Sequence, residues 1–281
     1  MIVVTGSGGQ LGRAIAAALA ERVAPSSVTL ASRDPGKIAD LAARGFNTAA
    51  ADFDRPETLE QAFKGADTVL VISGDTANEE RIRQHRAAID AARTARVGRI
   101  VYTSVINASP ESLFPFAAIH ADSEAYIKAS GLPYTILRNN MYAENLPLTG
   151  ARATGKLAMP GIAGKTAHIT RADLAAATAA VLTTDGHAGR TYDLTGPEAL
   201  SPIDVAQILG KAWGIPVEAV ETSSEAYVST LASYGLPPFL VEALLGARRA
   251  AEAGEYAGVS DHAARLAGRA IEPVSAWLTR A

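Results

Sequence analysis

The sequence predicts an α/β protein in which a doubly wound parallel sheet is followed by a smaller, mainly helical C-terminal portion. Short apolar segments alternate with helical patterns from Ile2 to Arg138, an order typical of parallel strands joined by helices. Those segments are apolar throughout, as in a sheet covered on both faces. Beyond about residue 145 helical patterns dominate. We therefore expect two portions, 1–145 and 146–281, with the second packed closely on the first.

The predicted elements follow each other in a regular order. Strands are predicted at 2–5, 27–31, 47–51, 67–72, 99–103 and 133–138, and helices at 13–20, 36–44, 56–64, 77–96 and 112–130. Asp34-Pro35 predicts the second helix start, because Asp caps helices and Pro favours the first helical position. The glycines and prolines of 147–165 predict loops. Further helices are predicted at about 171–184, 202–213, 224–234, 238–253 and 272–280, with a short strand at 191–194.

Composition narrows the class of protein. The chain has 281 residues, 48% of them hydrophobic, and a formal net charge of -3, which offers no basic field for nucleic acid. No apolar run reaches the ~20 residues that span a bilayer, and no signal peptide is recognised. The sequence contains no cysteine, so disulfides and cysteine metal sites are excluded. We expect a cytoplasmic globular protein without a membrane span.

A glycine-rich turn follows the first predicted strand and opens the first helix. Gly6, Gly9 and Gly12 have the spacing of a dinucleotide fingerprint in the required strand–turn–helix context. Gly6 permits the tight turn, Gly9 lets the backbone approach a pyrophosphate, and Gly12 permits close helix–strand packing. The expected cofactor-binding residues of this Rossmann-type turn are Gly6, Ser7, Gly9, Gln10, Leu11 and Gly12.

The end of the second strand predicts which dinucleotide is bound. An acidic residue there suits NAD, whereas an arginine suits the 2′-phosphate of NADP. Ser32 and Arg33 offer a hydroxyl and a guanidinium, and Lys37 follows one turn later. Asp34 has a sufficient role as a helix cap. The expected cofactor is NADP(H); the alternative for Arg33 is an ordinary solvated arginine.

Two further strand ends are candidate cofactor contacts. Asp52 and Phe53 follow the third strand, where a carboxylate and a ring could meet the adenine. Ser73 and Gly74 follow the fourth strand, beside the expected nicotinamide ribose. Glycine and serine also occur at strand ends as plain turn residues, so that alternative stays open for both pairs.

Several motifs together resemble a known family. The chain has Thr-Gly-x-x-Gly-x-x-Gly at 5–12, Ser-Arg-Asp-Pro at 32–35, Ala-Asp-Phe-Asp at 51–54, Gln-His-Arg at 84–86, Tyr-Thr-Ser at 102–104, Ser-Gly-Leu-Pro-Tyr-Thr-Ile-Leu-Arg-Asn-Asn-Met-Tyr-Ala-Glu-Asn at 130–145, Thr-Arg-Ala-Asp at 170–173 and Thr-Tyr-Asp-Leu-Thr-Gly at 191–196. It resembles the NmrA-like atypical short-chain dehydrogenases, in particular the bacterial NADPH:quinone oxidoreductases and triphenylmethane reductases.

This resemblance covers essentially the whole chain and implies a function. It implies hydride transfer from NADPH to a flat conjugated acceptor, with the C-terminal portion covering the substrate. It also implies that Arg138, Asn139 and Tyr142 lie beside the nicotinamide and the substrate. Related proteins tend to have Glu-Lys in the helix after His120, whereas this chain has Glu124-Ala125, so we assume no lysine there.

The catalytic acid of ordinary short-chain dehydrogenases is missing. Ser104 stands where those enzymes carry their catalytic serine, but the chain contains no Tyr-x-x-x-Lys. Tyr126 and Lys128 are two residues apart and point to different helix faces. The candidate catalytic residues are therefore Ser104, His120 and Tyr142, with orientation expected to dominate and the proton coming from solvent or a weak acid.

Motifs for three other kinds of site are missing or incomplete in the sequence. The histidines have no metal-ligand spacing, Gly164-Lys165-Thr166 lacks the first glycine of a phosphate loop, and no Gly-x-Ser-x-Gly is present. No metal is expected. The leading hypothesis is an NADPH-dependent reductase of quinones or similar conjugated acceptors. A non-catalytic NADP(H) sensor acting on a protein partner, and a carbonyl or imine reductase, remain alternatives; a homodimer is left open.

Overall fold

The computed structural model describes residues 1–74 and 76–280. In chain order its strands are β1 (Ile2–Val4), β2 (Val28–Ser32), β3 (Asn47–Ala50), β4 (Thr68–Val71), β5 (Arg99–Val105), β6 (Tyr134–Asn139), β7 (Lys156–Met159), β8 (Arg190–Leu194) and β9 (Glu218–Glu221). Its α-helices are α1 (Gln10–Ala20), α2 (Ala39–Ala42), α3 (Pro56–Phe63), α4 (Asn78–Thr94), α5 (Pro115–Ala129), α6 (Leu148–Thr154), α7 (Arg171–Thr183), α8 (Pro202–Trp213), α9 (Ser224–Ser233), α10 (Pro238–Glu252), α11 (His262–Ala267) and α12 (Val274–Leu278).

One large parallel sheet organises the fold. Its strand order is β3-β2-β1-β4-β5-β6-β8, and every pairing within it is parallel. The strand order reverses at β1, between β2 and β4, and such a switch point opens a crevice at the carboxyl ends of the strands. The predicted doubly wound parallel sheet is therefore confirmed.

Helices cover both faces of this sheet. On one face Val4 and Leu30 pack with Ile15 of α1 and Leu174 of α7. On the other face, residues of β1, β4 and β5 pack with α3, α4 and α5 through a second buried cluster. This double cover leaves the central strands buried on both sides: all five residues of β2, for example, are buried, including Thr29 and Ser32.

The segment after residue 145 differs in part from the prediction. The strand assigned to the smaller portion, β8, pairs with β6 as the seventh strand of the large sheet, and α7 packs on α1. Packing therefore joins part of 146–281 to the large parallel sheet. The division of the chain at residue 145 stays a prediction.

The predicted loop at 147–165 is wrong for much of its length. It contains α6 and β7, and β7 pairs with β9 in a separate two-stranded parallel sheet. Gly155 adopts φ +67 and ends α6, so this glycine separates two short elements instead of marking a long loop. Leu157 and Met159 then pack against Leu209 of α8 in a third cluster. Within the described ranges, no helix is both long and apolar enough to cross a bilayer.

Candidate functional site

A cleft of about 540 Å³ lies at the carboxyl ends of β1, β2 and β4, where the strand order reverses. Residues from the first strand–helix turn, from the ends of three strands and from three later segments line it. They are Gly6, Gly8, Gly9, Gln10, Leu11, Gly12, Ser32, Arg33, Asp34, Lys37, Ala51, Asp52, Phe53, Ile72, Ser73, Gly74, Thr76, Gln84, Tyr142 and Arg171.

The glycine turn forms the floor of this cleft. Gly6 has φ +63, a conformation that side chains other than glycine rarely adopt. A Cβ on Gly12 would lie 2.4 Å from the Gly6 carbonyl oxygen and 2.7 Å from Ser7 Cα, so only glycine fits there. Ser7 points inward instead: its hydroxyl donates to the Val4 carbonyl at 2.7 Å, and the residue does not line the cleft.

The first turn of α1 faces the same space. Gly9 stands at the N-cap with an extended backbone, and no side chain caps the helix. The amides of Gln10, Leu11 and Gly12 lie in the first turn, where a helix supplies no carbonyl partner. Together with the positive end of the helix dipole, these amides suit a phosphate group.

The end of β2 brings cationic side chains to the cleft. Arg33 and Lys37 are exposed, and neither side chain bonds to another residue in the described part of the chain. Asp34 is occupied as predicted: its Oδ1 accepts from the Gly36 amide at 2.9 Å and caps the 3₁₀ turn at Pro35–Ile38. This end of the cleft thus carries two cations, Arg33 and Lys37, that no side chain of residues 1–74 or 76–280 pairs with.

The next two strand ends complete the same wall. Asp52 accepts from the Asp54 amide at 3.0 Å, and Phe53 lies half-buried beside it in the cleft. The Ser73 amide donates to Thr103 Oγ1 at 3.0 Å, which fixes the start of the Ser73-Gly74 segment. These bonds are ordinary turn contacts, and the same residues remain available to line a ligand.

Tyr142 and Arg171 form the wall that comes from the later part of the chain. The Arg171 guanidinium lies 4.9 Å from the centre of the Tyr142 ring. The Tyr142 hydroxyl accepts from Asn139 Nδ2 at 3.4 Å, and burial raises the pKa of the phenol. Asn139 itself is buried, does not line the cleft, and its Oδ1 has no hydrogen-bond partner among the described atoms.

Ser104 and Arg138 lie outside the cleft and bind the same carboxylate. Ser104 Oγ donates to Glu124 Oε1 at 2.7 Å, and Arg138 donates to both oxygens of Glu124 at 2.8 and 2.7 Å. Burial opposes ionisation of Glu124, but the hydrogen bonds from Arg138 and Ser104 outweigh it and lower the pKa of this carboxyl. The Ser104 proton is therefore engaged by Glu124.

His120 also lies outside the cleft, in a buried cluster. Its Nδ1 is 2.8 Å from the Tyr102 hydroxyl, which is 3.1 Å from Nδ1 of His85. Burial is the main cause that lowers the pKa of His120, and of His85, to about 3. Both imidazoles are consequently neutral at physiological pH, so each carries one ring N–H proton instead of two.

The structure thus separates the predicted residues into two groups. Those that line the cleft are Gly6, Gly9, Gln10, Leu11, Gly12, Ser32, Arg33, Lys37, Asp52, Phe53, Ser73, Gly74 and Tyr142. Those that do not are Ser7, Ser104, His120, Arg138 and Asn139. Sequence reasoning missed Gln84 and Arg171, although both stand in segments noted for their resemblance to a family.

Comparison with known proteins agrees with this geometry. A family model described as NAD(P)H-binding matches residues 6–185. Quinone oxidoreductase 2 of Escherichia coli strain K12 is 36% identical over 246 residues, 87% of this chain and 85% of the relative. NAD(P)H azoreductase of Xenophilus azovorans is 32% identical over 271 residues, covering 96% and 93% of the two chains.

A solved structure extends the likeness to the whole fold. The Citrobacter sp. triphenylmethane reductase complexed with NADP(H) superposes with a TM-score of 0.94 at 32% identity. The match covers 100% of this chain and 99% of that one, so it includes the C-terminal helices as well as the large sheet.

Proposed function

Because the chain belongs to the NAD(P)H-binding family, in its NmrA-like branch of atypical short-chain dehydrogenases, we propose that it is an NADPH-dependent reductase of quinones or similar conjugated acceptors. The observation that carries the proposal is the cleft. It contains a glycine turn, an open helix start and two cations, Arg33 and Lys37, whose side chains have no partner in the described protein. Relatives named as a quinone oxidoreductase and an azoreductase support the acceptor class.

The residues present fit the dinucleotide. The amides of Gln10 to Gly12 would hold the pyrophosphate, and the room left by glycine at position 9 lets it approach. Ser32, Arg33 and Lys37 would hold the 2′-phosphate, because a guanidinium and an ammonium favour a doubly charged group that NADH lacks. Phe53 offers a ring to the adenine, and Ser73 and Gly74 would border the nicotinamide ribose.

Binding and orientation dominate the proposed mechanism. The cofactor supplies a hydride when bound, and the protein holds the acceptor close to it while excluding water. Tyr142 lines the cleft and keeps its hydroxyl proton available, because its oxygen accepts from Asn139. Ser104 and His120 lie outside the cleft and would act indirectly, by holding Glu124 and Tyr102 in position. The proton reaches the reduced acceptor from solvent or from the Tyr142 phenol. We place the reaction in the cytoplasm, where its nucleotide cofactor is supplied.

The test is a panel of acceptors with purified protein. We expect loss of NADPH absorbance with quinones and with azo or triphenylmethane dyes, and little with simple ketones and aldehydes. Tight NADP⁺ binding without turnover of any acceptor would favour the cofactor sensor. Turnover restricted to ketones, aldehydes or imines would favour a carbonyl or imine reductase. Either result contradicts the proposal.

A further inference from the structure

We propose that Arg171 is a cofactor-binding residue that meets the pyrophosphate of the dinucleotide from the start of α7. The inference rests on the proposed use of the cleft by a dinucleotide, and it assigns a role to a side chain outside the glycine turn. It concerns binding, so it is tested without measuring turnover.

The distribution of charge in the cleft is the first argument. Its basic lining residues, within the described chain, are Arg33, Lys37 and Arg171. Arg33 and Lys37 both follow β2 and serve the adenosine end. The glycine turn at 6–12 contains no basic residue, so its amides alone face the pyrophosphate charge from that side. Arg171 is the remaining cation of the described cleft lining, and it stands away from the β2 end.

The position of α7 is the second argument. α7 packs alongside α1 on the same face of the sheet, and each helix leads into the next parallel strand. Both helices therefore begin at the carboxyl edge of the sheet. Arg171 is the first residue of α7, and Gln10 is the first residue of α1; both line the one cleft. A ligand on the first turn of α1 thus lies in the cleft that Arg171 also faces.

The way Arg171 is held is the third argument. Its guanidinium packs on the Tyr142 ring, Nη2 donates to Asn145 Oδ1 at 2.7 Å, and Nη1 lies 3.5 Å from Glu144 Oε2. These contacts hold the side chain in place before a ligand arrives, and it is only 16% exposed. A guanidinium has more donors than these partners use, so it can still bind a phosphate oxygen.

The test is calorimetric titration of NADPH, NADH and ADP-ribose into the protein and its variants. ADP-ribose retains the pyrophosphate but lacks both the nicotinamide and the 2′-phosphate. We expect Arg171→Ala to weaken all three ligands by a similar factor of about ten, as loss of a charge-assisted contact to a shared group predicts. Arg171→Lys should recover part of that loss, because it keeps the charge without the planar fork.

Two matched arginine variants define the controls. Arg33→Ala should weaken NADPH while leaving NADH and ADP-ribose unchanged. Arg44→Ala removes an exposed arginine that does not line the cleft, and it should change none of the three affinities. If Arg171→Ala does not fold, as judged by circular dichroism, Arg171→Gln gives the same comparison with a donor kept near Asn145.

The outcomes distinguish this inference from the proposed function. Unchanged affinity of Arg171→Ala for all three ligands overturns the inference, and a raised KM for the acceptor would then assign the residue to acceptor binding. A loss confined to NADPH also overturns it, because the contact would be to the 2′-phosphate. Suppose that Arg171→Ala weakens all three ligands and that the unmodified protein reduces no acceptor. That result would support the inference and contradict the proposed reductase.

Discussion

The phosphate side of the cleft (Gly6–Gly12, Ser32, Arg33 and Lys37) and the buried polar network (Tyr102, Ser104, His120, Glu124 and Arg138) are built in opposite ways. The first is open, and its cations have no partner within the described chain. In the second, each named side chain is hydrogen-bonded to another of the set. Groups left without partners suit a ligand, whereas groups that satisfy each other fix the structure. We therefore expect the first region to bind the ligand and the second to hold the surrounding structure in position.

The largest expected effect comes from adding a side chain on the phosphate side of the cleft, at position 9. Gly9→Val should reduce NADPH affinity by more than about a hundredfold, because its branched side chain enters the space of the pyrophosphate. The fold should survive: position 9 has φ -79 and ψ 167, and a Cβ there meets only the Gly6 oxygen at an ordinary 3.4 Å. Titration with NADPH and a thermal melt measure both quantities.

Gly12→Ala provides the contrast for this experiment. Its Cβ would lie 2.4 Å from a backbone oxygen, so it should lower the melting temperature, unlike Gly9→Val. A folded Gly9→Val protein with normal NADPH affinity would mean that the pyrophosphate does not lie on this turn.

The second effect tests the charge at the β2 end. Arg33→Ala should weaken NADPH by roughly ten- to a hundredfold, about 1.5–3 kcal/mol, and leave NADH nearly unchanged. Parallel titrations with both cofactors measure the preference, and Lys37→Ala should have a smaller effect in the same direction. Equal affinity of the unmodified chain for NADPH and NADH would refute the assignment of NADP(H).

The sequence was most informative where the site is local in the chain. The turn at Gly6–Gly12 and the segment Ser32–Lys37 each hold their candidate binding residues within a few positions, so the local sequence predicts them. The same holds for the positions of the strands along the chain up to β6, because each predicted strand is a short run of its own between helical patterns. The Asp34 cap is likewise a local feature, and it is confirmed.

What the sequence did not predict depends on contacts between distant segments. Arg171 enters the cleft because α7 packs on α1, and Gln84 enters it from α4; neither position follows from spacing. Glu124 binds Ser104 and Arg138 across two strands and a helix, which no local motif reveals. The prediction of a loop at 147–165 is wrong because Gly155 ends a short helix. The sequence alone does not distinguish a glycine at the end of a helix from a glycine in a loop.

The third prediction tests the buried region through pH. Burial lowers the pKa of His85 and His120 to about 3 and that of His168 to about 4. An unfolded histidine titrates near 6.5, so below that pH the unfolded state binds more protons than the folded state. The stability that these histidines contribute is present above about pH 6.5 and is lost as pH falls toward their folded pKa values.

The measurement is urea unfolding at several pH values between 7 and about 5, above the range in which most carboxylates titrate. Each buried histidine should add a slope that approaches about 1.4 kcal/mol per pH unit below its unfolded pKa. His85→Gln should reduce the slope. The control His187→Gln should reduce it less, because His187 is only partly buried. A free energy of unfolding that is flat from pH 7 to 5 would contradict neutral burial.

The smallest effect is expected from the candidate acids. Ser104→Ala, His120→Gln and Tyr142→Phe should each lower the kcat of quinone reduction by less than about tenfold, whereas an indispensable acid contributes about 10²–10⁴-fold. The Ser104 hydroxyl donates to Glu124, His120 is neutral, and burial raises the pKa of Tyr142, so each is at most a weak acid that solvent can replace. Changes at Tyr142 or Asn139 should alter the choice of acceptor more than the maximal rate, because Tyr142 lines the cleft and contacts Asn139.

Steady-state kinetics with one quinone, beside NADPH titrations of each variant, separate these effects. If one variant loses a thousandfold in kcat with NADPH binding intact, that residue is a dedicated acid. Should it be Ser104 or His120, the buried network would take part in the chemistry as well as in the scaffold.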